Sequence, residues 1–401
     1  MKITGIITEY NPFHLGHLYH LEKAKIDTKA EGIICIMSGH FVQRGMPALI
    51  DKWTRARMAV ENGVDLVIEL PLVYSISSAE GFSEGAVRIL NSTGVVQNIF
   101  FGSEHGETSD LDIIASTLLY EPDDYRSILK SELKKGSPFH TARSVALKEY
   151  LPKVPCGDIL SSSNNILAIE YIKALKKLDS SIVPTTLKRV GADYNTSELS
   201  TKYPSATSIR ANLKNSSDLR QLKDSLPTNT YKIFTELIKK NYNFVYVDDI
   251  FPYLKYKLLT QGEKIKSILD VKEGLENKIL KEIVLSNSLD EFILKVKSKR
   301  YTYTRINRIL TSFFIGLENY KIKEIMNERT NYIRPLAFNN TGIKILKEIK
   351  DKDQINILTK VPKKISDEKL KLDLLGTQAY SILNPSISPL DDYYKSPIYL
   401  E

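Results

Sequence analysis

The chain has 401 residues, of which 42% are hydrophobic and 26% charged, with a net charge of +8. That composition excludes a fibrous, collagenous or wholly disordered protein, and the length exceeds what one ordinary core needs, so two domains are expected. No apolar run reaches the roughly 18–20 residues of a membrane span. The best stretch, Asp65–Leu72, is interrupted by Glu69 and Pro71.

From the N-terminus, the β-branched run Lys2–Thr8 predicts a first strand, Asn11-Pro12 a turn, and Gly16–Ala24 a helix. Gly32–Met37 reads as a second buried strand and Asp51–Asn62 as a helix closing at Gly63. Asp65–Leu70 is a third strand, Ser78–Leu90 a helix, and Asn98–Phe101 a fourth strand ending at Gly102. Near-continuous apolar strands alternating with helices predict a parallel sheet covered on both faces, a doubly wound α/β domain. Further on, Asn164–Leu178 repeats Ile166, Ile169, Ile172 and Leu175 on one helical face, Ser181–Val190 reads as a strand, and Ser205–Leu213 opens a helix. Beyond about residue 220 the strand signal fades into helical sequence such as Asp290–Val296 and Thr304–Ile315, and the tail after Pro385 reads as loop. A catalytic domain over 1–225 and a mostly helical, basic domain over 226–401 are expected.

Two cysteines, Cys35 and Cys156, are too few for a disulfide framework or a four-thiolate site, and no protein-held metal is expected. Glu9 falls too early for a secretory segment, so a cytoplasmic location is expected. The cationic excess suits a polyanionic partner and equally a plain Lys-rich surface. All six histidines lie within the first 140 residues, so imidazole chemistry belongs to the N-terminal part.

The informative segment is Gly5–His20, which leaves a strand, turns at Asn11-Pro12 and starts a helix near Gly16. His14 and His17, three apart, project to one side at the helix start. A helix N-terminus offers backbone N–H groups and partial positive charge to phosphate, and Gly16 removes a Cβ that would obstruct approach. Two imidazoles there can stabilise charge developing on phosphoryl oxygens. The competing reading is a capped, packed turn, and His20 either reaches the same site or merely packs.

His14-Leu-Gly-His17 resembles the H-x-G-H signature of the HIGH-motif nucleotidyltransferase superfamily. The longer string Gly5–His20 is similar to the tRNA(Met) cytidine acetate ligase family. So are Met37–Pro47, Asp65–Pro71, Phe100–Glu104, Asn164–Leu167, Leu187–Gly191, Ser205–Arg210 and Lys299–Thr302. The resemblance implies a HIGH-type Rossmann-like domain that forms acetyl-adenylate from acetate and ATP, releasing pyrophosphate. The acetyl group then passes to N4 of the wobble cytidine of elongator tRNA(Met). It implies catalytic roles for His14 and His17. It implies an ATP site of Ile7, Thr8, Glu9, Tyr10, Asn11, Pro12, Phe13, His14, Leu15, Gly16, His17, Leu18, Tyr19 and His20, with Gly102, Asn164 (Asn165 beside it) and Arg189. Ser205, Thr207 and Arg210 are candidate triphosphate contacts, with a plain helix cap as the other reading. Mg²⁺ is expected alongside ATP. His40, in Gly39-His40-Phe41, departs from the short polar residue expected there.

The expected tRNA contact is Lys297, Lys299, Arg300, Arg305 and Arg308, with Tyr301 and Tyr303 between them, since cations neutralise phosphates and tyrosines stack on unpaired bases. Lys344, Lys347 and Lys350 read as a solvated face. The alternative function is an adenylyltransferase acting on a phosphorylated small metabolite.

Overall fold

The computed structural model describes residues 1–189, 204–215 and 219–401. At its centre lie seven strands: β1 (Ile3–Thr8), β2 (Gly32–Ser38), β3 (Leu66–Leu70), β4 (Val96–Ser103), β5 (Val183–Lys188), β6 (Pro335–Phe338) and β7 (Ile398–Tyr399). Their order across the sheet is β7-β6-β3-β2-β1-β4-β5. The first five run parallel, pairing Ile6 with Cys35, Cys35 with Val67, Gly5 with Ile99 and Gly102 with Leu187. All seven residues of β2 are buried, as a central strand covered on both faces requires. Helices α1 (Leu15–Thr28), α2 (Lys52–Glu61), α3 (Ala79–Ser92) and α4 (Ser163–Lys177) follow β1, β2, β3 and β4 in the chain. Chain order and strand order reverse between β1 and β4, and in such sheets ligands settle at the carboxyl ends of the strands beside that point.

The doubly wound expectation therefore holds, with adjusted boundaries. The fourth strand runs on to Ser103, so Gly102 sits within it rather than at its end. Val190 and Gly191 lie outside the described residues.

The C-terminal part is mostly helical, including α5 (Ala206–Asn215), α6 (Tyr303–Ile315) and α7 (Glu368–Leu383), but it also returns to the sheet. Strand β6 pairs antiparallel with β3, Leu66 opposite Phe338, and β7 pairs parallel with β6. The tail after Pro385 is thus not simply loop: it carries a short helix, Asp391–Tyr394, and an edge strand. Strands of four and two residues are too short to display alternation, and their place is set by the exposed edge of β3.

A buried ionic cluster sits beside this join. Lys52 Nζ lies 2.7 Å from Glu69 and 2.8 Å from Asp392, and Arg334 lies 2.6 Å from Asp392 and 3.3 Å from Glu69. All four side chains are buried, and charges taken from water persist only when paired.

Candidate functional site

The segment that carries β1 into α1 is clamped from below. Asn11 Oδ1 accepts from the Leu49 amide at 2.8 Å, and Tyr10 takes a left-handed φ of 44°. Arg55, fully buried on α2, fans its guanidinium across backbone carbonyls: Nε donates to Ile50 at 3.0 Å, Nη1 to Glu9 at 2.6 Å, and Nη2 to Ser38 at 3.0 Å and to Gly39. One planar side chain therefore ties the carboxyl ends of β1 and β2 to each other. The sequence reading missed Arg55. The available signal is a pair of cations, Lys52 and Arg55, inside the otherwise apolar face of Trp53, Ala56 and Ala59.

His14 is the N-cap of α1. Its Nδ1 accepts from the Gly16 amide at 3.0 Å, while the His14 amide donates to His17 Nδ1 at 3.3 Å, a reciprocal capping box built from two imidazoles. The rings stack with centroids 3.7 Å apart, and Tyr10 meets the edge of His17 at 4.9 Å. The capping reading is thus met, and it engages only Nδ1 of each ring. The expected open N–H groups are not open, however. The Leu15 amide donates to the Ser225 carbonyl at 3.3 Å, Gly16 to His14 Nδ1, and His17 to the His14 carbonyl at 2.9 Å. An anion here is met by side chains and the helix dipole.

Burial pushes the His14 imidazole down to about 3, with Arg189 and Arg210 adding to the shift. Burial likewise depresses His17, helped by His14, His20 and Arg189, and takes His20 down to about 4, helped by Arg189. All three are neutral at pH 7, and because His14 Nδ1 accepts a hydrogen bond, its proton sits on Nε2 as a donor. The His20 ring lies tilted against Phe100 of β4, with centroids 5.1 Å apart.

Arg189 follows β5, its amide bound to the Ser103 carbonyl at 2.9 Å. Its side chain passes directly over Gly102, where a Cβ would stand 3.2 Å from Arg189 Cγ. Gly102 therefore makes room for the arginine that faces the three histidines. Arg210, on α5, donates to the Asn11 carbonyl at 2.7 Å and to Thr207 Oγ1 at 3.2 Å. Ser205 Oγ accepts from the Ser208 amide at 3.1 Å, the geometry of a helix cap. The structure thus gathers His14, His17, His20, Gly102, Arg189 and Arg210 around the carboxyl ends of β1 and β4.

Other expected residues shape this place. Asn164 donates to Glu104 at 2.6 Å, and Glu104 also accepts from the Asn165 amide at 3.0 Å. Buried Asn165 accepts from the His105 amide at 3.0 Å, so the pair ties α4 to the loop after β4. Thr8 Oγ1 meets Cys35 Sγ at 3.1 Å, and burial lifts that thiol to about 12, leaving it unreactive. Glu9 accepts from the Gln43 amide at 2.9 Å, and its carboxyl is raised by burial against the pull of that bond and of Arg44, Arg210 and Arg55. Glu104 and Gln43, which organise these loops, were also missed, because their partners lie far away in sequence. His40 is buried, stacked on Tyr380 at 4.4 Å with Thr377 Oγ1 3.2 Å from its Nδ1, and belongs to the contact with α7.

The basic stretch is only partly open. Arg300 pairs with Glu273, and Arg305 pairs with Asp270 at 3.1 Å while lying 4.7 Å over the Tyr301 ring. Tyr301 is buried with its hydroxyl on the Lys272 carbonyl, and Tyr303 donates to Asp290 at 3.1 Å, so neither ring is the free stacking platform expected. The acids that occupy the arginines, 27 and 35 residues upstream, are invisible to a local reading. Lys297 and Lys299 are exposed.

The HIGH Nucleotidyl Transferase family matches residues 1–393. The tRNA(Met) cytidine acetate ligase of Clostridium novyi (strain NT) is 51% identical over 402 residues, covering all of both chains, and that of Clostridium kluyveri is 46% identical over 407 residues, again covering both. Among solved structures, Thermotoga maritima TmcAL superposes with a TM-score of 0.92 in its apo form at 35% identity. The same protein bound with alpha-thio ATP superposes with a TM-score of 0.89 at 34% identity, each covering all of both chains. With an H-x-G-H turn at the carboxyl edge of a parallel sheet and likeness along its whole length, this chain belongs to the HIGH nucleotidyl transferases, in the tRNA(Met) cytidine acetate ligase family.

Proposed function

We propose that the protein joins acetate to ATP, releasing pyrophosphate, and transfers the acetyl group from acetyl-adenylate to N4 of the wobble cytidine of elongator tRNA(Met). The observation that carries this reading is the convergence of three neutral imidazoles and Arg189 on the switch point of the sheet, in a fold shared with a protein solved bound to an ATP analogue. The full-length relatives bear the ligase name, which favours acetate over a phosphorylated metabolite as the group that is adenylated.

In the first step an acetate oxygen attacks the α-phosphorus and the bond to the β-phosphate bridging oxygen breaks. Positioning two anions in line and neutralising the leaving pyrophosphate is the whole task. His14 and His17 donate neutral N–H groups to phosphoryl oxygens, while Arg189 and Arg210 supply full positive charge. Among the described residues no three or more His, Cys, Asp or Glu gather to hold a metal ion; Mg²⁺ brought in with ATP would add positive charge toward the phosphates beside Arg189 and Arg210. In the second step N4 attacks the acetyl carbonyl carbon, the carbon–oxygen bond to AMP breaks, and N4 loses a proton. Residues 226–401 supply Lys297, Lys299, Arg300, Arg305 and Arg308 toward the RNA. No described helix is long and apolar enough to cross a membrane, and the proposed location is the cytoplasm. The decisive experiment incubates tRNA with the protein, ATP and isotope-labelled acetate. Mass spectrometry is expected to find labelled N4-acetylcytidine at the wobble position, and its absence refutes the proposal.

A further inference from the structure

A second recess lies beside the hairpin Phe41–Val42/Met46–Pro47, next to the nucleotide site. Gln43 touches both. Its amide donates to Glu9, and its side-chain Nε2 donates at 3.3 Å to the carbonyl of Ser77, which lines the recess. The cavity holds about 200 Å³ and is walled by Val73, Ile76, Ile309 and Met326, with Arg308, Asp270 and Ser312 as polar groups. That volume is below the ~300–1,000 Å³ that takes drug-sized ligands, and suits a single flat ring.

Two features mark it as more than a packing gap. Arg308 is half-buried, yet among the described residues its guanidinium makes no hydrogen bond or ion pair, whereas its neighbours Arg300 and Arg305 are each held by an acid. Burial disfavours its charge and Asp270 favours it without a hydrogen bond, so a ligand that accepts from the guanidinium adds stabilisation. Its backbone is fixed at the same time. Gly45 of the hairpin packs on the Arg308 amide, Asn307 Nδ2 donates to the Arg44 carbonyl at 3.1 Å, and Thr311 Oγ1 donates to the Gly45 carbonyl at 2.6 Å. Asp270 stands at the rim with Oδ1 on Arg305 and Oδ2 without a partner among the described residues.

We propose that this cavity receives the cytosine ring of the target nucleotide, read by Arg308 and Asp270. The proposal rests on the ligase reading above. A guanidinium offers two parallel N–H donors and a carboxylate offers acceptors, so the pair presents donor, donor, acceptor, the pattern of a guanine pairing edge. Cytosine answers it with O2, N3 and the N4 amine. Uracil does not, because its N3 is a donor and its O4 an acceptor, leaving both protein groups facing like partners. An exocyclic amine that reacts must leave the base stack, and apolar walls stand in for the neighbouring bases.

The test titrates the full-length protein with an anticodon stem-loop RNA carrying cytidine at the wobble position, and with the same RNA carrying uridine there. Wild type is expected to prefer cytidine by about ten- to a hundredfold, the range of one good bidentate pair. The preference is expected to vanish in Arg308→Lys, which keeps the charge but has no fork. It is also expected to vanish in Ser312→Phe, which fills the cavity and carries the test should the lysine variant not fold. Equal wild-type affinities overturn the proposal. So does an undiminished cytidine preference in a folded variant, and weaker binding at that same ratio would mark Arg308 as a phosphate ligand only. Acetate-dependent pyrophosphate exchange by the wild-type enzyme is read in parallel. Its failure refutes the ligase reading, independently of the cytidine-to-uridine ratio.

Discussion

His14 caps α1 with one ring nitrogen and leaves the other for the proposed ligand contact, so the two roles are separable. Nδ1 caps the helix through the Gly16 amide, and Nε2 is the remaining donor. His14→Ala and His17→Ala are each expected to lower acetate-dependent pyrophosphate exchange by about 10²–10³-fold, the range for deleting one charge-stabilising donor, while tRNA binding persists. His14→Asn keeps an N-cap acceptor, worth about 1 kcal/mol, so it is expected to match wild type in urea denaturation and still fail in exchange. Near-normal exchange in the alanine variants would remove the histidines from the mechanism. Arg55 is the complementary case, a residue that acts by position. Arg55→Ala strands carbonyls at the ends of β1 and β2, at roughly 1–3 kcal/mol for each group left buried and unpaired. A midpoint in urea close to wild type would contradict that role.

At the scale of elements, the α1 start makes stability depend on pH. An unfolded histidine titrates near 6.5, whereas His14 and His20 are held down to about 3 and about 4. Between those values the unfolded chain binds more protons, so stability is whole above pH ~6.5 and falls as the pH drops toward ~4. Thermal melts from pH 7.5 to 4.5 are expected to show that decline, and a His20→Gln variant a shallower one. Anion binding at the site is expected to lift these values, because phosphate favours the protonated ring. The hairpin after β2 is positioned by Gly45, which has φ of 72° and packs against the backbone of Arg308. Gly45→Ala is expected to destabilise the fold by more than the ~1 kcal/mol of a left-handed alanine, because backbone cannot yield as a side chain can. It should also weaken tRNA binding, since the hairpin braces α6.

Across the whole molecule, Lys52 with Asp392 and Glu69 with Arg334 join chain segments 340 and 265 residues apart. Asp392→Asn leaves two buried cations with one carboxylate and is expected to cost about 3–5 kcal/mol in chemical denaturation. A loss below 1 kcal/mol would show that the cluster does not bind the tail to the sheet. The proposed RNA-facing surface is best tested through salt. Arg300→Glu with Arg305→Glu is expected to reduce tRNA affinity and to flatten log Kd against log salt by about 0.7–0.9 for each phosphate no longer neutralised. An unchanged slope would take this face out of the RNA path, and the acids that already hold both arginines, Glu273 and Asp270, make the measurement informative.

The local pattern was sufficient for the five parallel strands, for helices α1 to α4 between them, and for the strand-to-helix turn bearing His14, Gly16 and His17, while the helices Thr108–Tyr120, Asp123–Lys134, Phe139–Tyr150 and Cys156–Ser161 were not read. Hydrophobic periodicity and turn residues act over a few neighbours, so they are written where they act. Gly102 and Arg189 were legible as candidates, but that the one makes room for the other follows only from the pairing of β4 with β5. Beyond that reach lay the acids that quench the basic stretch, the buried fork of Arg55, and the return of Pro335–Phe338 and Ile398–Tyr399 to the sheet. Each depends on a partner tens to hundreds of residues away, brought near only when the core closes. The occupied amides at the start of α1 teach the same point: a sequence shows which groups a helix end possesses, and only the packed chain decides which of them are still available.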